Sequence, residues 1–210
     1  MDLNFNSGEW LILARTNYIA NKIATDLKEQ GYLFWREGSG WSISPNVLTG
    51  IEVWLKLCKG LTVTATELKT LSTLLKSDIV TKSGRKNLAT LDNEMPYALD
   101  DVKGNFTTND LKEKPWYEVL KVAEQERIYI SSVRRMGEKI LTDKPRIKIS
   151  TIHKAKGGEA DNVAVLLDSS KLCVESEDQD SEVRTFYVGI TRAKKTLHLI
   201  ESTSQYGFAI

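Results

Sequence analysis

The stretch WLILARTNYIANKIATDLKEQGYLFW, Trp10 to Trp35, decides the fold. Trp10 to Ala14 is a short unbroken apolar run, the pattern of a strand buried on both faces, and Arg15-Thr16-Asn17 then offers side chains that cap helices. Ile19, Ile23, Ala24 and Leu27 recur at helical spacing until Gly31 stops the helix, and Tyr32 to Trp35 resumes an extended run. A strand, a helix and a strand in that order imply a parallel sheet with helices on its faces. Such sheets gather ligands beyond the carboxyl ends of their strands. Arg15 stands at that end of the first strand.

The same alternation returns near the other terminus. Arg146 to Ser150 alternates polar and apolar residues, Asn162 to Leu167 reads as a buried strand, and Thr196 to Ile200 reads as another. Between the last two, Val183, Phe186, Tyr187 and Ile190 mark one apolar helix face, which assigns Phe186 and Tyr187 to the core. Asp178, Asp180 and Glu182 gather at the start of that helix, where its dipole favours negative charge. The middle of the chain differs. Pro45 to Leu57, Thr64 to Leu75 and a broken tract from about Trp116 to Leu141 carry helical spacing, the second opened by the capping box Thr64-Ala65-Thr66-Glu67. Signals from Lys76 to Thr108 are weak, and no period repeats, so a solenoid is not expected. We therefore expect an α/β domain of residues 1–60 and 142–210, interrupted by a helical insertion at 61–141. Trp10 and Trp54 read as core; Trp35, Trp41 and Trp116 have less regular contexts and are candidates to stack on unpaired bases.

A chain of 210 residues is long enough for this arrangement without disulfides. The formal charge of +1 makes no field that attracts polyanions over the whole molecule, so any contact with nucleic acid has to come from local clusters. Cys58 and Cys173 lie in apolar contexts with no ligand spacing, which fits small thiols in a reducing compartment and predicts no metal site. With no apolar run of membrane-spanning length and no signal-peptide pattern, a soluble cytoplasmic chain is expected, with no membrane partner.

The chemistry concentrates in STIHKAKGGEADNVAVLLDSS, Ser150 to Ser170. Thr151, His153, Lys154 and Lys156 supply donors suited to phosphates or sugars, and Gly157 and Gly158 let the backbone approach a ligand closely. Arg15 and Arg192, each leaving the end of a strand or helix, carry the planar fork that suits phosphate oxygens. A polyphosphate or a nucleic acid fits this set better than an apolar ligand. There is no GxxxxGK[ST], and no aliphatic run ends in a paired Asp-Glu. The set reads as one half of a nucleotide site.

At these residues a resemblance enters. RTFYVGITRAKKTLHL, Arg184 to Leu199, resembles motif VI of the UvrD/Rep/PcrA-like superfamily 1 DNA helicases; ISTIHKAKGGEADNVAVL, Ile149 to Leu166, resembles motif V; and Trp10 to Phe34 resembles motif IV. The resemblance implies a RecA-like domain of the P-loop NTPase type, the second (2A) domain of such a motor, with residues 61–141 standing where the family inserts subdomain 2B. It implies arginine fingers at Arg15 and Arg192, a nucleotide-facing set of Glu159, Gly157 and Gly158, and DNA contacts at Thr151, His153 and Lys156. The complete enzyme it describes uses ATP and Mg2+, works on single-stranded or partly duplex DNA and needs a Walker-bearing N-terminal domain. The present chain alone is expected to hold neither cofactor and to be inactive. Gly158 and Thr185 stand where the family usually has leucine. The alternative reading is a non-catalytic RecA-like module that binds DNA or docks a protein.

Overall fold

The computed structural model describes residues 3–108, 110–137, 145–155, 157–175, 177–202 and 204–208. They divide into two compact units, one of residues 1–42 with 131–210 and one of residues 43–130. The first is built on a six-stranded sheet ordered β3-β2-β6-β1-β7-β8. β1 is Trp10–Ala14, β2 Trp35–Arg36, β3 Gly40–Trp41, β6 Ile147–Thr151, β7 Ala160–Leu166 and β8 Ala193–Ile200. All pairings are parallel except the short β2–β3 hairpin. A mostly parallel sheet flanked by helices is the RecA-like α/β arrangement expected from the sequence.

β1 lies inside the sheet, bonded to β6 on one side and β7 on the other, which is why all five of its residues are apolar and buried. Its alternate side chains enter two cores. Trp10, Ile12 and Ala14 join Ile147, Ile149, Ala164 and Leu166 beneath α1 (Asn17–Glu29), which contributes Ile19, Ala20, Ile23 and Leu27. Leu11 and Leu13 join Ile152, Val163, Val165 and Phe186 on the opposite face. Each such aliphatic side chain, fully buried, contributes about 1.5–3 kcal/mol. The backbone N–H of Ile19 donates to Thr16 Oγ1 at 3.3 Å, closing the N-terminus of α1. At the other end Gly31 turns with φ 82°, a left-handed conformation that a Cβ would disfavour.

Two expectations are corrected on the second face. α9 (Gln179–Ile190) buries Glu182, Phe186 and Gly189, whereas Val183 and Tyr187 are 54% and 65% exposed. The helix is turned so that Gly189 lies over the sheet, where a Cβ would meet Ile152 and Leu13 at 3.5–3.6 Å. Tyr187 is therefore a surface residue and not core. β8, expected to be a buried strand, is an edge strand, and none of its residues is buried, with Leu199 41% exposed. An edge strand has a neighbour on one side only, so its side chains lack the cover an interior strand receives.

The second unit comprises α2 (Pro45–Cys58), β4 (Val63–Thr64), α3 (Ala65–Leu74), α4 (Gly84–Ala89), β5 (Pro96–Tyr97), α5 (Leu99–Val102) and α6 (Trp116–Val119). α7 (Glu124–Arg135) leads back into the first unit, and α8 (Lys171–Val174) precedes α9. The broken third tract is thus α6 and α7, and its end at residues 138–141 lies outside the described residues. Trp54, Leu57, Leu68 and Leu71 are completely buried, and the Trp54 indole donates to the Lys114 carbonyl at 2.9 Å. Thr64 and Glu67 form the capping box, each side chain accepting from the other's backbone N–H, at 3.2 and 2.8 Å. The unit begins at Ile43 and not at residue 61, because α2 is apolar around most of its circumference and packs on α3.

Candidate functional site

Parallel strands place the polar residues on two rims of the sheet. At the carboxyl rim β1 ends in Ala14, which is paired with Thr151 at the end of β6, so Arg15 and Ile152 leave side by side. Thr151 is buried, and its carbonyl accepts from the N–H groups of Lys154 and Ala155, both at 3.0 Å. That turn lifts His153 and Lys154 into solvent.

Arg15 does not point freely outward. Its Nε donates to Glu182 Oε2 at 2.7 Å and its Nη2 to Oε1 at 2.5 Å, a two-pronged bond in which the arginine side chain is 17% and the carboxylate 9% exposed. The hydrogen bond that Arg15 donates to Glu182 raises the guanidinium's pKa further, against the opposing effect of burial. The sequence reading missed Glu182 as a partner, placing it among the acids that complement the helix dipole. The signal was present: Glu182 lies four residues before Phe186, on the stripe that α9 buries.

The segment after Thr151 then runs back across the second face to the amino rim, where β7 begins. Gly157 there has φ 82°, and a Cβ on Gly158 would press on the Ala155 carbonyl at 3.3 Å. Glu159 is exposed, with Lys194 3.6 Å away. The backbone joins this corner together, since Ala160 N–H donates to the Arg192 carbonyl at 3.3 Å. The Arg192 side chain folds back onto the end of α9, Nε donating to the Val188 carbonyl at 2.9 Å, with Nη2 3.4 Å from Thr191 Oγ1.

The structure thus brings Glu159, Gly157, Gly158 and Arg192 together, and separately Arg15, Thr151 and His153. It does not bring Arg15 to Arg192. Glu182, which holds Arg15, lies in the first turn of α9, and Arg192 follows the end of that helix at Ile190, so a helical rise of about 12 Å between Glu182 and Ile190 separates them. Lys156 lies outside the described residues.

Residues 59–204 match the UvrD-like helicase C-terminal domain, a span well over half of the chain. The chain belongs to that family. No curated protein matches it. As a UvrD-like helicase C-terminal domain it is part of a helicase motor that acts on DNA, and the family implies ATP with Mg2+ and an N-terminal helicase domain in the complete enzyme. The matched span contains Thr151 through Glu159 and Arg192 and begins beyond Arg15. Among the described residues no helix is long and apolar enough to cross a membrane.

Proposed function

We propose that this UvrD-like domain is the C-terminal half of an ATP-driven translocase on single-stranded DNA, its amino rim turned to the nucleotide and its carboxyl rim to the DNA strand. The observation that carries this reading is that β6 ends at one rim in Thr151 and the exposed His153 and Lys154, while β7 begins at the other rim behind Glu159, an exposed carboxylate 3.6 Å from Lys194, with Ala160 N–H bonded to the Arg192 carbonyl. One short segment therefore touches both ligands, so a shift at one end displaces the other.

The donor set at the amino rim fits one side of a nucleotide. Glu159 offers acceptors to ribose hydroxyls, and Gly157 and Gly158 allow close approach of backbone N–H groups. Arg192 keeps Nη1 without a partner among the described residues, able to meet the charge that grows on a transferring phosphoryl group. ATP supplies that group and Mg2+ neutralises its oxygens; a P-loop on the N-terminal domain would hold both, since this chain has none. Arg15 stands at the opposite rim in its bond to Glu182, so a role as second finger requires its release and a change that brings that rim to the nucleotide. At the other rim His153, and Thr151 through its hydroxyl, bind the DNA backbone, and Lys156 is a further proposed DNA contact. The helical unit of residues 43–130 takes the place of the 2B insertion.

The test is ATP turnover by the chain alone, then joined to its Walker-bearing N-terminal half, with and without single-stranded DNA. Silence alone and DNA-stimulated turnover once joined are expected. If the joined protein stays silent, the motor reading fails and the non-catalytic module replaces it.

A further inference from the structure

The first face of the sheet, which α1 covers, is roofed over one half only. α1 packs on β1 and β6, whereas no helix packs closely on β8 among the described residues. Parallel sheets normally carry helices on both faces, because their strands are apolar on both. Beside α1 the missing cover leaves a groove of about 560 Å3. Leu166 and Ile200, opposite one another on β7 and β8, form its floor. Ile23 and Leu27 of α1 line one wall, and Tyr206, in the segment that follows β8, lines the other.

The polar groups of this groove are one-sided. Asp26 on α1, Asp168 after β7 and Glu201 after β8 line it against a single cation, Lys22, although acids and bases nearly cancel over the whole chain. None of the three carboxylates forms an ion pair among the described residues, and Asp168 accepts from the Ser202 hydroxyl at 2.8 Å. The Ser169 hydroxyl, also in the lining, lies wholly out of solvent with no hydrogen-bond partner among the described residues. Buried hydroxyls ordinarily have one, so this orphan points to a polar group that the groove receives from outside. Three carboxylates repel a polyanion, which turns DNA away from this face. An apolar floor rimmed by acids suits side chains with aliphatic stems and cationic heads.

We propose that the groove seats a basic amphipathic helix of another protein. Its apolar stripe lies on Leu166, Ile200, Ile23 and Leu27, its lysines or arginines face Asp26, Asp168 and Glu201, and one of them donates to the Ser169 hydroxyl. The guest completes the helical layer beside α1. A helix fits better than an added strand, because the groove opens on the face of the sheet and not along the edge of β8. The surface is separate from the residues assigned to nucleotide and DNA, and the inference does not depend on the motor reading.

The experiment is calorimetric titration of the chain with a helical peptide that carries leucine at i, i+3, i+4 and i+7 and lysine elsewhere, followed in parallel by methyl NMR. Saturable binding is expected, with the methyl signals of Leu166 and Ile200 shifting and those of Leu68, buried in the helical unit, unmoved. The same peptide with glutamate for lysine should bind at least about 10-fold more weakly. Asp26→Lys combined with Glu201→Lys, both at exposed positions, should reverse that preference. A folding defect cannot produce such a reversal. Failure of the leucine–lysine peptide to bind, or binding that leaves Leu166 and Ile200 unmoved, overturns the proposal. Equal binding by an oligolysine without leucine reduces the groove to an acidic patch and overturns it too, and displacement of the peptide by single-stranded DNA would give the groove to DNA instead. No readout involves nucleotide turnover, so failure here leaves the motor reading standing, and a silent motor leaves this docking site standing.

Discussion

The two rims of the sheet each present an arginine and a carboxylate, and in opposite states. At the carboxyl rim Arg15 and Glu182 are both largely out of solvent and joined by two short bonds. At the amino rim the Glu159 side chain is 53% exposed and, among the described residues, meets only Lys194 at 3.6 Å, while Arg192 is bonded to the Val188 carbonyl and the Thr191 hydroxyl at the end of α9. Identical side-chain chemistry therefore does different work according to burial. The enclosed pair ties β1 to α9; the open corner keeps charge available to a ligand.

The sharpest way to break this contrast is Arg192→Ala in the complete enzyme. An arginine that meets the transferring phosphoryl group is worth roughly 10³-fold or more in turnover, with little change in thermal stability because the residue is at the surface. Unchanged turnover would remove Arg192 from the nucleotide site. Next in size is Glu182→Ala, which leaves a buried guanidinium without its partner and should cost about 3–5 kcal/mol in urea unfolding. A double-mutant cycle with Arg15→Ala should show strong non-additivity; additive losses would mean the two groups stabilise the fold separately. Gly189→Val tests the seat of α9 on the sheet. The space under Gly189 admits one methyl at ordinary contact and no more, so valine should overpack the site by about 1–3 kcal/mol while alanine is tolerated. Smallest of all, Lys194→Ala should change stability by less than about 0.5 kcal/mol, since both partners are more than half exposed. A loss as large as that of Glu182→Ala would mean that the two rims are not different after all.

Much of this was legible in the amino-acid order. The run at Trp10–Ala14, the helix closed by Gly31, the capping box at Thr64 and the motif tracts after Ser150 all reappear as elements of the expected kind. Those features are local: they depend on periodicity, caps and turns within a few residues. The misread parts were not local. Thr196 to Ile200 is as apolar as an interior strand, and only its place at the end of the strand order exposes it. The rotation of α9 also escaped, because a glycine can occupy the buried stripe without registering as hydrophobic, and an acid can do so when an arginine meets it there.

The division between the two kinds of information follows from sequence separation. By itself the sequence determined the α/β class, the helical middle and the residues that bear the chemistry, since spacing along the chain carries them. Only tertiary structure decided how those residues combine. Arg15 and Glu182 are 167 positions apart and bond directly, whereas Glu182 and Arg192, ten positions apart, lie at opposite ends of α9 and are kept apart by its rise. Burial and sheet order are properties of the assembled layers, and a pattern read along one strand does not contain them.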